Sequence, residues 1–180
     1  LSVRREVIPA LDALIATMLR LEEENRTEMF EIPLSEVVKE SAESFIVLAE
    51  SGNKTLNTNV EPLLTIKGNI KDISQLTGIL LDNAIRHSNT SGDVLLSLTK
   101  EHNYAKLSVR NKGDEIPAEQ REKIFERFYR VDTARNSESQ HYGLGLAIAK
   151  AIATTHKGRI EVLCYDGHVE FVVQIPMVQK

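Results

Sequence analysis

Apolar residues near the N-terminus recur at a spacing that is typical of one face of a helix. They lie at intervals of 4, 3, 4 and 3 residues and are Val7, Leu11, Leu14, Met18 and Leu21. This narrow seam is the pattern of a coiled coil or helical bundle, and an isolated helix of this length is only marginally stable in water. We therefore predict that residues 1–28 form a helix that needs a partner, with an ordinary helix packed on its own domain as the alternative.

Hydrophobic periodicity predicts four further helices, at residues 33–50, 69–87, 117–129 and 143–156. Alternating runs predict strands at residues 55–60, 63–67, 93–99, 104–110, 159–165 and 168–175. Asp166-Gly167 is a strong hairpin signal between the last two strands, and Gly52 and Gly158 stand where glycine often ends a helix. The mixture predicts an α+β fold over residues 29–180, a two-layer α/β sandwich whose mixed, mostly antiparallel sheet is covered by helices on one face.

Composition narrows the class of protein without naming a function. The 180 residues, 42% hydrophobic and 27% charged, fit one globular domain with a short appendage. The net charge of -4 argues against a nucleic-acid partner, and the single Cys164 excludes an internal disulfide or a Cys-rich zinc site. No apolar run approaches the roughly 20 residues of a membrane span. The polar, aperiodic stretch 131–142 is predicted to be a mobile loop.

Two polar stretches contain side chains that could bind a metal ion or the edge of a purine. On the predicted helix, Asn83 shares a face with Arg86 and His87, and an amide oxygen is a donor that Mg2+ accepts. An ordinary surface asparagine is the alternative. Asn111 precedes a turn at Gly113, where an amide can bond to a purine edge, although such turns are also common without a ligand.

Two other stretches suit an anion. Gly143 and Gly145 open an apolar helix, whose free N–H groups and positive dipole end favour negative charge. This is neither a Walker motif nor the dinucleotide fingerprint, because the required Lys-Ser/Thr ending and third glycine are missing. Arg130 and Arg135 lie at the root of the predicted loop, where guanidinium groups could bind anionic oxygens or simply be solvated. His156, at the end of the last helix, is expected to be a cap rather than a catalyst.

Taken in order, these stretches resemble the ATP-binding catalytic domain of two-component sensor histidine kinases, which share a fold with Hsp90, DNA gyrase and the mismatch-repair ATPases. The asparagine, first glycine, phenylalanine and second glycine boxes of that family resemble residues 80–88, 111–117, 124–132 and 143–150. The resemblance covers residues 29 to 176.

The resemblance implies ATP and Mg2+ as ligands and transfer of the γ-phosphoryl group to a histidine, for relay to a response regulator. Asn83 would hold the metal, Arg86 and Arg130 would act on phosphate, and Asn111 would contact the adenine amino group. The other nucleotide-binding positions would be His87, Gly113, Ile116, Phe125, Arg135, Gly143, Leu144, Gly145 and Leu146.

Three residues depart from the family pattern. Ile79 stands where many members have a first asparagine and where the ATPase relatives have a glutamate that activates water. Asn111 replaces a usual aspartate, and Glu115 replaces a glycine. Because Ile79 cannot act as a base, direct ATP hydrolysis is disfavoured relative to phosphotransfer.

None of the five histidines stands in the family's phosphoacceptor motif. The resemblance therefore implies that residues 1–28 end the second helix of a dimerisation and phosphoacceptor hairpin. We expect the hairpin's first helix and any membrane segment to lie upstream, in a homodimeric, membrane-anchored parent of which this is a cytoplasmic portion. The alternatives are a nucleotide-binding scaffold without kinase activity and, less favoured, a true ATPase.

Overall fold

The computed structural model describes residues 10–18, 28–89, 92–129 and 143–179. Residues 10–18 form helix α1. In chain order there follow Phe30–Pro33 (β1), Leu34–Ser51 (α2), Thr55–Val60 (β2), Thr65–Gly68 (β3), Ile70–His87 (α3), Asp93–Glu101 (β4), Tyr104–Lys112 (β5), Gly145–Thr155 (α4), Arg159–Tyr165 (β6) and His168–Pro176 (β7). No helix within these ranges combines the length and the apolar character that crossing a membrane requires.

Five strands form the main sheet in the order β2-β4-β5-β7-β6. β2 and β4 are parallel, and each of the other neighbouring pairs is antiparallel. Along β4, Val94, Leu96 and Leu98 are fully buried, while the residues between them are partly exposed. This alternation means that one face of the sheet packs on helices. The predicted α+β sandwich with a mixed, mostly antiparallel sheet is confirmed.

Helices α2, α3 and α4 bury one apolar face each. The buried positions of α3 recur at helical spacing and include Ile73, Leu76, Leu80 and Ala84. Asn69 begins this helix as its N-cap, because its Oδ1 accepts a hydrogen bond from the Asp72 N–H at 3.1 Å. These three helices were predicted to within two residues at each end. Gly158 was expected to terminate α4, but the left-handed residue is Lys157, at φ 58°.

The predicted helix over residues 117–129 is wrong. The chain forms two short 3-10 turns instead, Ala118–Gln120 and Lys123–Phe125. The buried side chains there are the adjacent Ile124 and Phe125, which do not make an amphipathic helical face. Phe125 packs edge-on against Phe171 with 6.1 Å between ring centroids, whereas Phe128 is 44% exposed at φ 65°.

β1 is an element that the sequence pattern did not predict. It pairs with β3 in a separate two-stranded antiparallel sheet, where Phe30 lies opposite Gly68. With four residues and one buried side chain, Ile32, it is too short to show alternation. The small sheet leads directly into α2 on one side and α3 on the other.

Helix α1 presents the seam predicted from its spacing. Leu11 and Leu14 are 36% and 41% exposed, whereas Met18, the third seam residue that the structure describes, is half-buried. Val7 and Leu21 lie outside the described residues, as does the predicted loop 131–142. The division at residue 28 stays a prediction.

Candidate functional site

One face of α3 forms the floor of the candidate site. Ile79, Asn83 and His87 follow one another at intervals of four residues and therefore lie on the same side of the helix. Asn83 is half-buried and Ile79 packs against the core, while His87 is exposed at the end of the helix. The polar amide of Asn83 thus lies between the apolar Ile79 and the solvent-exposed His87.

The start of α4 lies against the apolar end of this face. A Cβ built on Gly145 would stand 3.4 Å from Cγ2 of Ile79, which is ordinary contact. Just before it, Gly143 adopts φ 70°, and its carbonyl accepts a hydrogen bond from the Phe128 N–H at 3.1 Å. The two ends of the 130–142 segment are therefore joined beside α4.

The first turn of α4 lacks a side-chain cap. Leu144 occupies the N-cap, and its side chain cannot accept a hydrogen bond. The first intrahelical bond runs from the Ile148 N–H to the Leu144 carbonyl at 3.0 Å. The N–H groups of Gly145, Leu146 and Ala147 have no carbonyl within the helix to bond. An anion is a suitable partner for such groups, because the helix dipole also favours negative charge there.

The end of β5 lies against the other end of the α3 face. Asn111 is 2% exposed and pairs with Val94 and Val169 across the sheet. Its Nδ2 donates to the Lys112 carbonyl at 3.1 Å, which leaves Oδ1 as the acceptor that faces away from that bond. A Cβ on Gly113 would stand 2.8 Å from the His87 carbonyl oxygen and 3.0 Å from Asn111 Nδ2. Only glycine fits between the two.

These contacts bring the predicted residues to one surface. Gly145 touches α3 at Ile79 and Gly113 touches it at His87, eight residues further along. At 1.5 Å per residue the two contacts are about 12 Å apart along α3, with Asn83 midway between them. Leu144 and Leu146 are half-buried at the start of α4, Ile116 is half-buried three residues after Gly113, and Phe125 lies in the core.

The cationic residues predicted for phosphate are only partly described. The Arg86 guanidinium bonds the Asp82 carboxylate at 2.6 Å, and both side chains are about one-third exposed. Its contribution to anion binding therefore requires a change of rotamer or a shared bond. Arg130 and Arg135 lie outside the described residues.

The metal prediction depends on a single protein ligand. Among the described residues, no group of three or more His, Cys, Asp or Glu side chains could hold a metal ion. Asn83 offers one half-buried amide oxygen, and Ile79 removes the second amide of the usual pair. Because Mg2+ typically keeps several waters and binds substrate phosphates, one such ligand fits a metal that arrives with a nucleotide.

Lys54 is a supporting residue that sequence reasoning missed. Its Nζ donates to the carbonyl oxygens of Ile85 and Ser88, the latter at 3.2 Å, and so caps the C-terminal end of α3. A cation at a helix C-terminus also complements the dipole. The residue precedes β2 and lies 31 positions before Ile85, so no local motif in the sequence could reveal it.

A separate groove of about 800 Å³ lies between α3 and α4. It is bordered by Met18, by Asp72 and Gln75 of α3, and by Lys150 and Thr154 of α4. Burial raises the pKa of the Asp72 carboxyl above its ordinary 3.8, a rise that a positive charge on His156 would partly oppose. Of the predicted nucleotide-binding residues that the structure describes, Phe125 borders this groove, and those on the Asn83 face do not.

Comparison with known proteins gives a consistent result. The family described as "Histidine kinase-, DNA gyrase B-, and HSP90-like ATPase" matches residues 68–179. Sensor protein DltS of Streptococcus agalactiae serotype III is 33% identical over 171 residues, which are 93% of this chain and 43% of DltS. Sensor histidine kinase YkoH of Bacillus subtilis is 46% identical over 112 residues, 62% of this chain and 24% of YkoH.

Solved structures agree with the sequence relatives. The catalytic domain of histidine kinase ThkA superposes with a TM-score of 0.73 at 27% identity, covering 83% of this chain and 96% of that one. Mycobacterial sensor histidine kinase MprB gives a TM-score of 0.74 at 25% identity, covering 84% and 100%. The chain spans less than half the length of the curated relatives that it matches.

Proposed function

We propose that this chain binds Mg-ATP across the Asn83 face of α3. It belongs to the family of histidine kinase-, DNA gyrase B- and HSP90-like ATPases and contains the ATPase-type domain of a sensor histidine kinase. One observation supports the proposal most directly. The Gly113 turn and the start of α4 both contact α3, at points about 12 Å apart on either side of Asn83. Adenine would occupy one end of that surface and the phosphates the other.

The chemistry of the two ends sets the direction of the nucleotide. Oδ1 of the buried Asn111 can accept a hydrogen bond from the adenine amino group, as an aspartate oxygen would. The uncapped N–H groups of Gly145 and Leu146 suit the phosphate chain. His87 and Ile116 would then lie beside the base, and Gly143 and Leu144 beside the phosphates.

Asn83, midway along the surface, is the residue that would hold Mg2+ through its side-chain oxygen, together with phosphate oxygens and water. The metal would neutralise charge on the phosphates during transfer. Arg86, Arg130 and Arg135 would add positive charge at the same end. Ile79 is partly buried hydrocarbon and cannot deprotonate water, which favours transfer to a protein nucleophile over hydrolysis.

We further propose that the acceptor is a histidine on a helical hairpin of the parent protein, from which the phosphoryl group passes to a response regulator. In the transfer step a ring nitrogen forms the new bond to the γ-phosphorus as the bond to ADP breaks. The exposed Leu11 and Leu14 support a hairpin helix that pairs in a homodimer, and the parent would be membrane-anchored with this portion in the cytoplasm.

Titration calorimetry with ATP, with and without Mg2+, tests the binding site. Asn83→Ala should remove most of the magnesium-dependent gain in affinity, while Asn59→Ala, on the exposed surface of β2, should not. Equal magnesium dependence in wild type and Asn83→Ala would reject the assignment.

Phosphotransfer is tested by adding a hairpin polypeptide that contains the acceptor histidine, with ATP labelled at the γ-phosphate. Label on that histidine supports the kinase. Binding of ATP without any label on the hairpin would support a nucleotide-binding scaffold instead, and rapid ATP hydrolysis by the chain alone would support an ATPase.

A further inference from the structure

His156 is a buried histidine whose two ring nitrogens both have partners. It is 4% exposed, its Nδ1 lies 2.8 Å from the Ile152 carbonyl oxygen, and its Nε2 lies 3.1 Å from the backbone nitrogen of Asn69. The N–H of Asn69 can only donate, so Nε2 must accept and has no hydrogen. Nδ1 then carries the hydrogen and donates to Ile152. The geometry therefore requires the neutral Nδ1-H tautomer.

The far partner of this ring is the beginning of α3. Asn69, whose backbone N–H donates to the ring nitrogen, is also the residue whose side chain caps that helix. The preceding residue leaves room for the ring, because a Cβ on Gly68 would stand 2.8 Å from His156 Cδ2. The end of α4 is thus fastened to the start of α3 by a bond between residues 87 positions apart.

Helices α3 and α4 are also in contact where the start of α4 meets the middle of α3. His156 meets Asn69 at one end, and Gly145 meets Ile79 at the other, so the two helices run antiparallel. The contact points are 10 residues apart on α3 and 11 on α4, or about 15 and 16.5 Å at 1.5 Å per residue. A short helix such as α4 moves as a rigid body. A displacement of its His156 end along α3 therefore moves Gly145 by a similar distance.

We propose that His156 is a positioning residue for the nucleotide site: its bond to the Asn69 N–H sets how far α4 extends along α3, and so places the phosphate-binding start of α4 against the Asn83 face. This role rests on the proposed nucleotide function, since it acts through the distance between Gly145 and Asn83. His156 itself lies 11 residues along α4 from Gly145.

Two conservative variants separate the two ring bonds. The amide nitrogen of Asn in His156→Asn can replace Nδ1-H toward Ile152 but leaves the Asn69 N–H without an acceptor. The amide oxygen of Gln in His156→Gln can replace Nε2 toward Asn69. A control for general destabilisation is Leu56→Ala, which creates a cavity on the edge strand β2, across the sheet from the β6 and β7 strands beneath α4.

Calorimetry measures the affinity for Mg-ATP, and scanning fluorimetry measures the melting temperature. Nitrogen NMR of the nucleotide-free protein gives the chemical shift of the Gly145 amide and the tautomer of His156. His156→Asn should weaken binding about tenfold and shift the Gly145 amide, because an unsatisfied buried N–H favours displacement of the helix. His156→Gln should bind within about threefold of wild type. Leu56→Ala should bind like wild type despite a lower melting temperature.

Several results would overturn the proposal. One is binding by His156→Asn that equals wild type, and another is a loss in Leu56→Ala as large as that in His156→Asn. An unchanged Gly145 amide in His156→Asn, or a hydrogen on Nε2 of wild type, would reject the positioning role alone. Failure of wild type to bind Mg-ATP, with the amide shift and tautomer as expected, would instead reject the proposed function.

Discussion

Replacing Gly113 by alanine tests whether the turn after β5 borders the nucleotide. The new methyl would stand 2.8 Å from the His87 carbonyl oxygen and 3.0 Å from Asn111 Nδ2, whereas ordinary contacts begin near 3.4 Å. Neither neighbour can move cheaply. The carbonyl ends α3, and Asn111 is buried in the central strand of the sheet. Overpacking of this kind costs about 1–3 kcal/mol of unfolding free energy.

The effect on binding should exceed what lost stability explains. Relief of the clash must move either the end of α3 or the Asn111 amide, and both lie at the proposed adenine end. We expect Gly113→Ala to weaken ATP and ADP by a similar factor of about tenfold or more, since the adenine and not the γ-phosphate is affected. Calorimetry with both nucleotides measures this, and urea unfolding gives the stability.

Gly78→Ala is the matched control. It lies on α3 itself, and its new methyl would meet only the Phe45 ring at 3.5 Å, so alanine should leave binding unchanged and add up to about 1 kcal/mol of stability. Wild-type affinity in Gly113→Ala despite the expected loss of stability would refute adenine binding at this end. A loss confined to ATP would place the phosphates there instead.

Two further predictions concern the supports of α3. Lys54→Met should lower the free energy of unfolding by about 1–2 kcal/mol, because the Ile85 and Ser88 carbonyls lose a charged donor, and chemical denaturation should show no such loss for the exposed Lys39→Met. Burial raises the pKa of Asp72, so the carboxyl of Asp72 stays protonated to higher pH in the folded state than in the unfolded state. Wild-type stability should therefore fall as pH rises from about 3.8 through the raised pKa, and Asp72→Asn should flatten that part of the profile; an identical slope in the variant would contradict the assignment.

Much of the fold could be predicted because its signals are local. Strands β4 and β6 alternate more and less buried side chains, and Asp166-Gly167 forms the expected turn with both residues at positive φ, 49° and 72°. The helix predicted over residues 117–129 is wrong because Pro117 resembles a helix start and Phe125 and Phe128, three residues apart, resemble an apolar helix face. Only Phe125 of those two rings is buried, and tertiary packing overrides the pattern.

The site was predictable in its residues but not in its supports. Asn83, Gly113 and Gly145 stand in short motifs whose order is visible along the chain, so their convergence could be expected. His156 was expected to cap a helix end, where positive charge is favourable. The structure confirms the cap, since His156 is the C-cap residue of α4 and its Nδ1 donates to the Ile152 carbonyl. The unexpected feature is that the ring is neutral and also accepts from the Asn69 N–H, through a bond that depends on the folded arrangement of two helices. No local pattern reports such a bond.

Ile79 links the fold of this chain to the chemistry proposed for it. Its side chain packs against the core and meets the start of α4 at Gly145, so it helps to hold the two helices together at the site. A carboxylate or amide at this position would face the same contact and would need a polar partner there. Hydrocarbon removes that need and also removes any base for activating water. The same residue thus favours close packing of α4 on α3 and transfer of the phosphoryl group over its hydrolysis.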